Sequence, residues 1–373
     1  MSGLINRMSL ITLLLGMAAI FAHSASAATC SFAAGNNRFI ATVPLQTQNI
    51  TVGPDTPNGT VLLSHYIGGN ATAGNAPSPT FTCTSSPTSY SILARYVTTS
   101  TPKPLSAWNG SPYPGQVYET GVPGIGAVVS YWGRAFPTDR QTIPVGNNVP
   151  FTGTIGTEFD LTLIKIGPVS PGTIRGSDLP SISVQATPTG GSPLILNAIN
   201  FSGSINIVSQ TCQTPDVNVA MGTVNIAQNF KGPASASTWR DASIRLTNCP
   251  RFHGTKFQLR SFTSEGSPTS SSTPNSLELK LAPNTAIIDS AKGILGIKTG
   301  AESATGVGIQ MAYGSVNDTS PALVNFAGSR SFNMVNNDAT TQTLPLVARY
   351  IQTGDQITPG KADAAVTFMI NYY

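Results

Sequence analysis

Ala364-Ala365-Val366-Thr367-Phe368-Met369-Ile370-Asn371-Tyr372-Tyr373 closes the chain. Apolar and polar residues alternate along it, so an extended segment carries Val366, Phe368, Ile370 and Tyr372 on one face. Termini ordinarily fray. A terminal strand patterned this strongly implies that another strand, from this chain or another, lies against it and buries that face.

The rest of the chain follows the same period. Helical periodicity is nearly absent, while short β-branched or aromatic runs bounded by Gly, Pro, Asn and Ser recur throughout, which points to an all-β fold of two β-sandwich domains. Strands are expected at residues 60–63, 81–83, 90–97, 127–132 and 157–166. The best patterned places Phe159, Leu161 and Leu163 inward, with Asp160 outward. Residues 101–115 hold too many prolines for a central strand and read as a surface loop. Near Gly203-Ser204 the pattern restarts with Ile205-Asn206-Ile207-Val208 leading into Cys212, so the domains are expected at residues 28–203 and 204–373. In the second, Phe257, Leu259 and Phe262 read as core positions, and the Ser/Thr/Pro-rich residues 267–276 as a mobile loop.

At the other end, Arg7 precedes an apolar run over residues 10–22, and Ala25-Ser26-Ala27 has the small-residue form of a cleavage site. Residues 1–27 therefore read as a secretory signal peptide. The chain has 4 cysteines. Cys30 and Cys83 lie early, Cys212 and Cys249 late, and in an oxidising compartment this reads as one disulfide per domain. Charged residues make up 10% of the chain and the formal net charge is +4 over 373 residues. Such a sparse balance gives no nucleic-acid footprint. Without a Cys-x-x-Cys pair, and with only His65 and His253 beyond the signal, no metal or other cofactor is expected.

A catalytic reading finds little material. Neither Gly-x-Ser-x-Gly nor His-Glu-x-x-His occurs, His65 reads as a surface or strand histidine, and Asp139-Arg140 as a solvated turn.

The second half resembles the pilin domain of chaperone–usher fimbriae. The carriers are Thr211-Cys212-Gln213-Thr214-Pro215-Asp216-Val217, Val219 to Val224, Ile244-Arg245-Leu246-Thr247-Asn248-Cys249-Pro250, Gly306 to Gln310, Leu344 to Tyr350 and the terminal strand. The family also carries a glycine fourteenth from the end and an aromatic next to last, here Gly360 and Tyr372. The resemblance implies an incomplete immunoglobulin-like sandwich whose apolar groove lies beside the C-terminal strand. Gly360, Val366, Phe368, Ile370, Tyr372 and Tyr373 would form the chaperone and donor-strand site. It implies as partners a periplasmic chaperone, whose bases would anchor the Tyr373 carboxylate, the outer-membrane usher, and the donor strand of the next subunit. Shaft subunits carry a donor segment before the first cysteine, whereas only Ala28 and Thr29 precede Cys30 here. The implied place is the fibre tip, on the bacterial cell surface after export through the periplasm.

The first half resembles the receptor-binding domain of MrkD-type adhesins, through Ile50 to Val61 and Glu119 to Gly126. That resemblance implies a host receptor, either a matrix protein such as collagen or a glycan. Contacts are expected from amphipathic aromatics and arginines near loops, namely Trp108, Tyr113, Tyr131, Trp132 and Arg134. Trp108, in its polar loop, has the least reason to be buried, whereas Trp132 fits a core position equally well. The expected function is a fimbrial tip adhesin and not an enzyme. The alternative is a capping or initiator subunit without a receptor.

Overall fold

The structure is a computed structural model and describes residues 27–46, 48–68, 78–261 and 269–373. The expected signal peptide and Phe262 lie outside the described residues. The described residues form two β-sandwiches in sequence order, and no helix among them is long and apolar enough to cross a membrane.

In the first sandwich one sheet runs in the order Thr138–Val145, Tyr90–Ser100, Ser181–Pro188, Asn197–Ser202, Phe39–Pro44. The other runs Thr269–Thr273, Thr255–Ser261, Val61–Gly68, Glu158–Lys165, Ile125–Tyr131, Tyr118–Glu119. Alternate residues of both sheets enter one core. Phe159, Leu161 and Leu163 stand opposite Ile67, His65 and Leu63 in register, all on the buried face. Each apolar side chain sealed this way contributes about 1.5–3 kcal/mol. His65 has no exposed surface, and burial lowers its pKa to about 4, so the imidazole sits neutral in the core. It is a strand histidine, far from any surface role.

Three expectations change here. The change of domain expected at Gly203 falls on a turn inside the first sandwich. Gly203 takes a φ of 79°, and a Cβ there would lie 2.9 Å from the Leu45 carbonyl oxygen. The chain then continues as Ser204–Val208, paired with Gly172–Arg175 and, in parallel, with Gln48–Thr51. The pattern restarts at Gly203 because the chain leaves one sheet for another. Residues 267–276 are not all loop, since Thr269–Thr273 pairs with Thr255–Ser261. Asp139 and Arg140 are likewise strand residues. Asp139 lies 3.3 Å from Arg95, and Arg140 lies 3.0 Å from Glu158 with a further hydrogen bond to the Tyr96 hydroxyl at 2.9 Å.

The second sandwich sets the sheet Arg240–Asp241, Leu346–Gln352, Val307–Tyr313, Ile294–Gly296, Ile287–Asp289 beside the sheet Arg330–Asn333, Ser276–Pro283, Val366–Tyr372. Leu277, Leu279, Leu281, Leu295 and Leu346 fill its core. One disulfide joins Cys30 to Cys83 in the first sandwich, and the other joins Cys212 to Cys249 in the second.

The two halves share a sheet. Thr255–Ser261 leaves the second half and lies parallel to Val61–Gly68, with Leu259 opposite His65. Leu259, 2% exposed, belongs to the core of the first sandwich, and Phe257 packs against that core. Both are core strand positions, but of the other domain. Asn275 bridges the halves, accepting from the Gly254 N–H and donating to the carbonyls of Thr51 (2.9 Å) and Tyr373 (3.3 Å).

Candidate functional site

The terminal strand has the alternation that its sequence dictates. Val366, Phe368 and Ile370 are half-buried and Tyr372 is buried, while Thr367, Met369 and Asn371 face solvent. One edge is paired antiparallel with Ser276–Pro283. Tyr373 and Ser276 exchange two hydrogen bonds, at 2.8 and 3.0 Å, and the Asn284 N–H donates to the Ala365 carbonyl at 2.9 Å. Odd-numbered residues therefore turn their backbone groups toward that partner, and Val366, Phe368, Ile370 and Tyr372 turn theirs to the opposite edge. Among the described residues no strand pairs with that edge.

Beside the edge lies an apolar groove of about 550 Å³. One bank is the terminal strand and the other is the irregular segment carrying Val217, Val219 and Met221, with Leu281, Leu295, Ile309, Met311 and Leu346 in its lining. The 213–224 segment follows Cys212, which the disulfide fixes to Cys249, so its start is tied to the sandwich while its later residues run without strand partners. At one end the groove leads to a space lined by Val224, Phe230, Val307, Tyr350 and Gly360. Gly360 is required by close packing, because a Cβ there would lie 2.4 Å from the Ala304 nitrogen. At the other end Pro54 and Asp55 of the first sandwich join Cys212, Ile370 and Tyr372 around a third space.

Tyr372 is the best fixed residue of the strand. Its ring stacks on Phe252 with an interplanar angle of 8°, and burial pushes its phenol pKa up. The carbonyl of Tyr373 accepts from the Ser276 N–H and the Asn275 amide, and its phenol donates to Glu278.

The five aromatics and arginines singled out in the first half divide into two groups. Trp108 and Tyr113 lie over the outer face of the sheet, half-buried on a small cluster of Val117, Val128, Ala135 and Ile164. The Trp108 indole N–H donates to the Pro112 carbonyl at 2.9 Å, and the Tyr113 hydroxyl lies 3.1 Å from Ser130 Oγ. The expectation that Trp108 is the less buried of the two tryptophans is reversed, because its loop folds back and satisfies the ring within itself. Tyr131, Trp132 and Arg134 share one hairpin, in which Tyr131 pairs with Arg134. Trp132 and Gly133 make its two-residue turn with φ of 49° and 73°, and Trp132 is 81% exposed.

Behind this hairpin is a polar assembly that the sequence did not announce. The Arg140 guanidinium stands 5.1 Å from the Tyr131 ring centroid, and the Tyr66 hydroxyl donates to Glu158 at 3.2 Å. Burial drives the Tyr96 phenol up to about 12, and that hydroxyl donates to the Glu158 carbonyl at 2.8 Å. Only the alternation of Tyr96 with Ile92 and Ala94 hinted that it faces the core. Among the described residues no group of three His, Cys, Asp or Glu side chains is placed to hold a metal ion.

Residues 199–373 match the family model described as fimbrial protein. No curated protein matches the chain. Among solved structures, the CupB6 tip adhesin of Pseudomonas aeruginosa is 19% identical, covering 92% of this chain and 94% of its own, with a TM-score of 0.36. The receptor binding domain of the adhesin MrkD1P of Klebsiella pneumoniae is 21% identical over 50% of this chain and 98% of its own, with a TM-score of 0.28. The P pilus rod subunit PapA is 13% identical over 44% of this chain and 100% of its own, with a TM-score of 0.30. Residues 199–373 thus carry the match to the fimbrial protein family, and the chain is similar to solved fimbrial adhesin and pilus subunit structures.

Proposed function

We propose that the chain is the adhesin at the tip of a surface fimbria, with the first sandwich binding a receptor and the second joining it to the fibre. The observation that carries this reading is the unpaired edge of Val366, Phe368 and Ile370 above an apolar groove. An extended strand with apolar side chains at every second position satisfies both the backbone groups and the groove, whereas a compact ligand satisfies only the second. In the periplasm that strand comes from a chaperone, and in the fibre, after passage through the usher, from the next subunit.

Reception is assigned to the far end of the first sandwich. Asp55 and its neighbours adjoin the Lys165 end of the Glu158–Lys165 strand, and the Trp132 hairpin lies past the other end, beyond Ser130, which stands opposite Asp160. A tryptophan exposed to 81% in the left-handed region carries two unfavourable features at one position. Strain of this kind is retained where it serves a site. The ring supplies an apolar face and Arg134 beside it a cation, a combination suited to a matrix protein or a glycan.

Thermal unfolding of the full exported chain, with and without a synthetic donor peptide alternating isoleucine and threonine, tests the attachment half. A large rise in Tm is expected. A chain that is monomeric and equally stable without any strand would overturn the reading. Binding of the same chain to collagen and glycan arrays tests the receptor half, with loss in Trp132→Asn expected and unchanged binding contrary to it.

A further inference from the structure

Strand addition at the free edge has a built end. Of the residues whose backbone groups face that edge, Tyr372 has both engaged: its N–H donates to Asp55 Oδ2 at 2.8 Å, and its carbonyl accepts from the Asp55 N–H at 3.2 Å. The loop that supplies Asp55 sits hard against the strand. A Cβ on Gly53 would lie 2.1 Å from the Tyr372 carbonyl oxygen, so no second backbone passes between them. From behind, the Lys165 ammonium, on a residue only 4% exposed, reaches the Pro54 carbonyl at 3.4 Å and Asn58 Oδ1 at 3.5 Å, and the Asp55 carboxylate favours its charged form. The loop is a fixture of the first sandwich, and Pro54 and Asp55 wall the end of the groove beside Ile370.

We infer that the Gly53-Pro54-Asp55 loop is the end stop for the partner's strand, which pairs along Val366, Phe368 and Ile370 and then abuts the receptor-binding sandwich. The inference rests on the reading of the groove as a strand acceptor and adds to it where the strand stops and what it meets. The partner is an extended segment, apolar at every second position, whose end at Ile370 is neutral or basic, because an acidic residue there faces the Asp55 carboxylate. One strand then touches both sandwiches, and its seating depends on how the two are docked.

The test uses the full exported chain and synthetic peptides alternating isoleucine and threonine, lengthened stepwise at the end that approaches Tyr372. Affinity is expected to rise with each step until the peptide reaches Ile370 and then to stay flat. In Asp55→Ala the Gly53 backbone and the residue 55 N–H still close the edge at Tyr372, so the plateau is expected to stay at Ile370 while any dependence on the charge of the peptide's end is lost. A peptide ending in lysine is expected to bind the natural chain more tightly than one ending in glutamate. Asp55→Asn, which keeps the loop and its acceptor, should erase that preference while keeping the stop. Continued gain with length in the natural chain, or an end-charge preference that is unchanged in both variants, overturns the end stop. Binding of none of the peptides instead overturns the strand-accepting groove itself.

Discussion

The two sandwiches meet the same need in different ways. In the first, the outer edge of Val61–Gly68 is covered by Thr255–Ser261, a strand supplied by the second half, which adds Leu259 to the core. In the second, among the described residues, the outer edge of Val366–Tyr372 is covered only at Tyr372, by Asp55. An uncovered edge flanked by apolar surface invites pairing with other chains. Among the described residues one sandwich has its edge covered by a strand of the other half and the other keeps an uncovered edge, and the two arrangements touch where Asn275 bonds both Thr51 and Tyr373.

The largest effect is expected from weakening the strand that the second half lends to the first. Leu259→Ala should destabilise the first sandwich by about 2–5 kcal/mol, as buried leucine truncations do. Native-state hydrogen exchange should show faster exchange of the amides of residues 63–67, although the substitution lies in the second half. Unchanged exchange there would mean that the shared strand is not part of the first sandwich's cooperative unit.

Next in size is a pH effect confined to the first sandwich. The His65 pKa is lowered from 6.5 to about 4 by burial. Above the unfolded value both states are neutral and the full contribution is present. As pH falls the unfolded chain takes up the proton first, so stability drops progressively between pH 6.5 and about 4, by about 3 kcal/mol in all. Denaturant unfolding across that window should show the drop, and His65→Asn should remove this component.

The smallest effect has the opposite sign. Asparagine tolerates the left-handed region that the first turn position of this hairpin requires, so Trp132→Asn should raise stability by roughly 0.5–1 kcal/mol. A loss of stability of that size in thermal unfolding would show that the ring is held by packing, contrary to its exposure.

Much of the molecule was legible because strand patterns are local. The alternation of residues 366–372 and of Phe159, Leu161 and Leu163 follows directly from a side-chain period of two. The tryptophans were not legible. Trp108 sits among polar neighbours yet is half-buried, because its loop turns back over Val128 and Ile164. Trp132 follows a run of buried residues yet is exposed, because two left-handed residues turn the chain at that point. Which way a ring faces depends on backbone dihedrals that neighbouring residue types only weakly restrict.

Residue order alone dictates that the chain is built of strands, that its cysteines pair within each half, and that its last strand is apolar on one face. These depend on period, spacing and compartment, which are properties of short stretches. Tertiary structure alone decided that Thr255–Ser261 serves the other sandwich, that Asp55 closes the free edge at Tyr372, and that Ser204–Val208 pairs with Gln48–Thr51. Each of these joins residues far apart in the chain, and apart from the Asp55 carboxylate on the Tyr372 N–H the hydrogen bonds that fix them run between backbones, which carry no side-chain signature for a sequence to display.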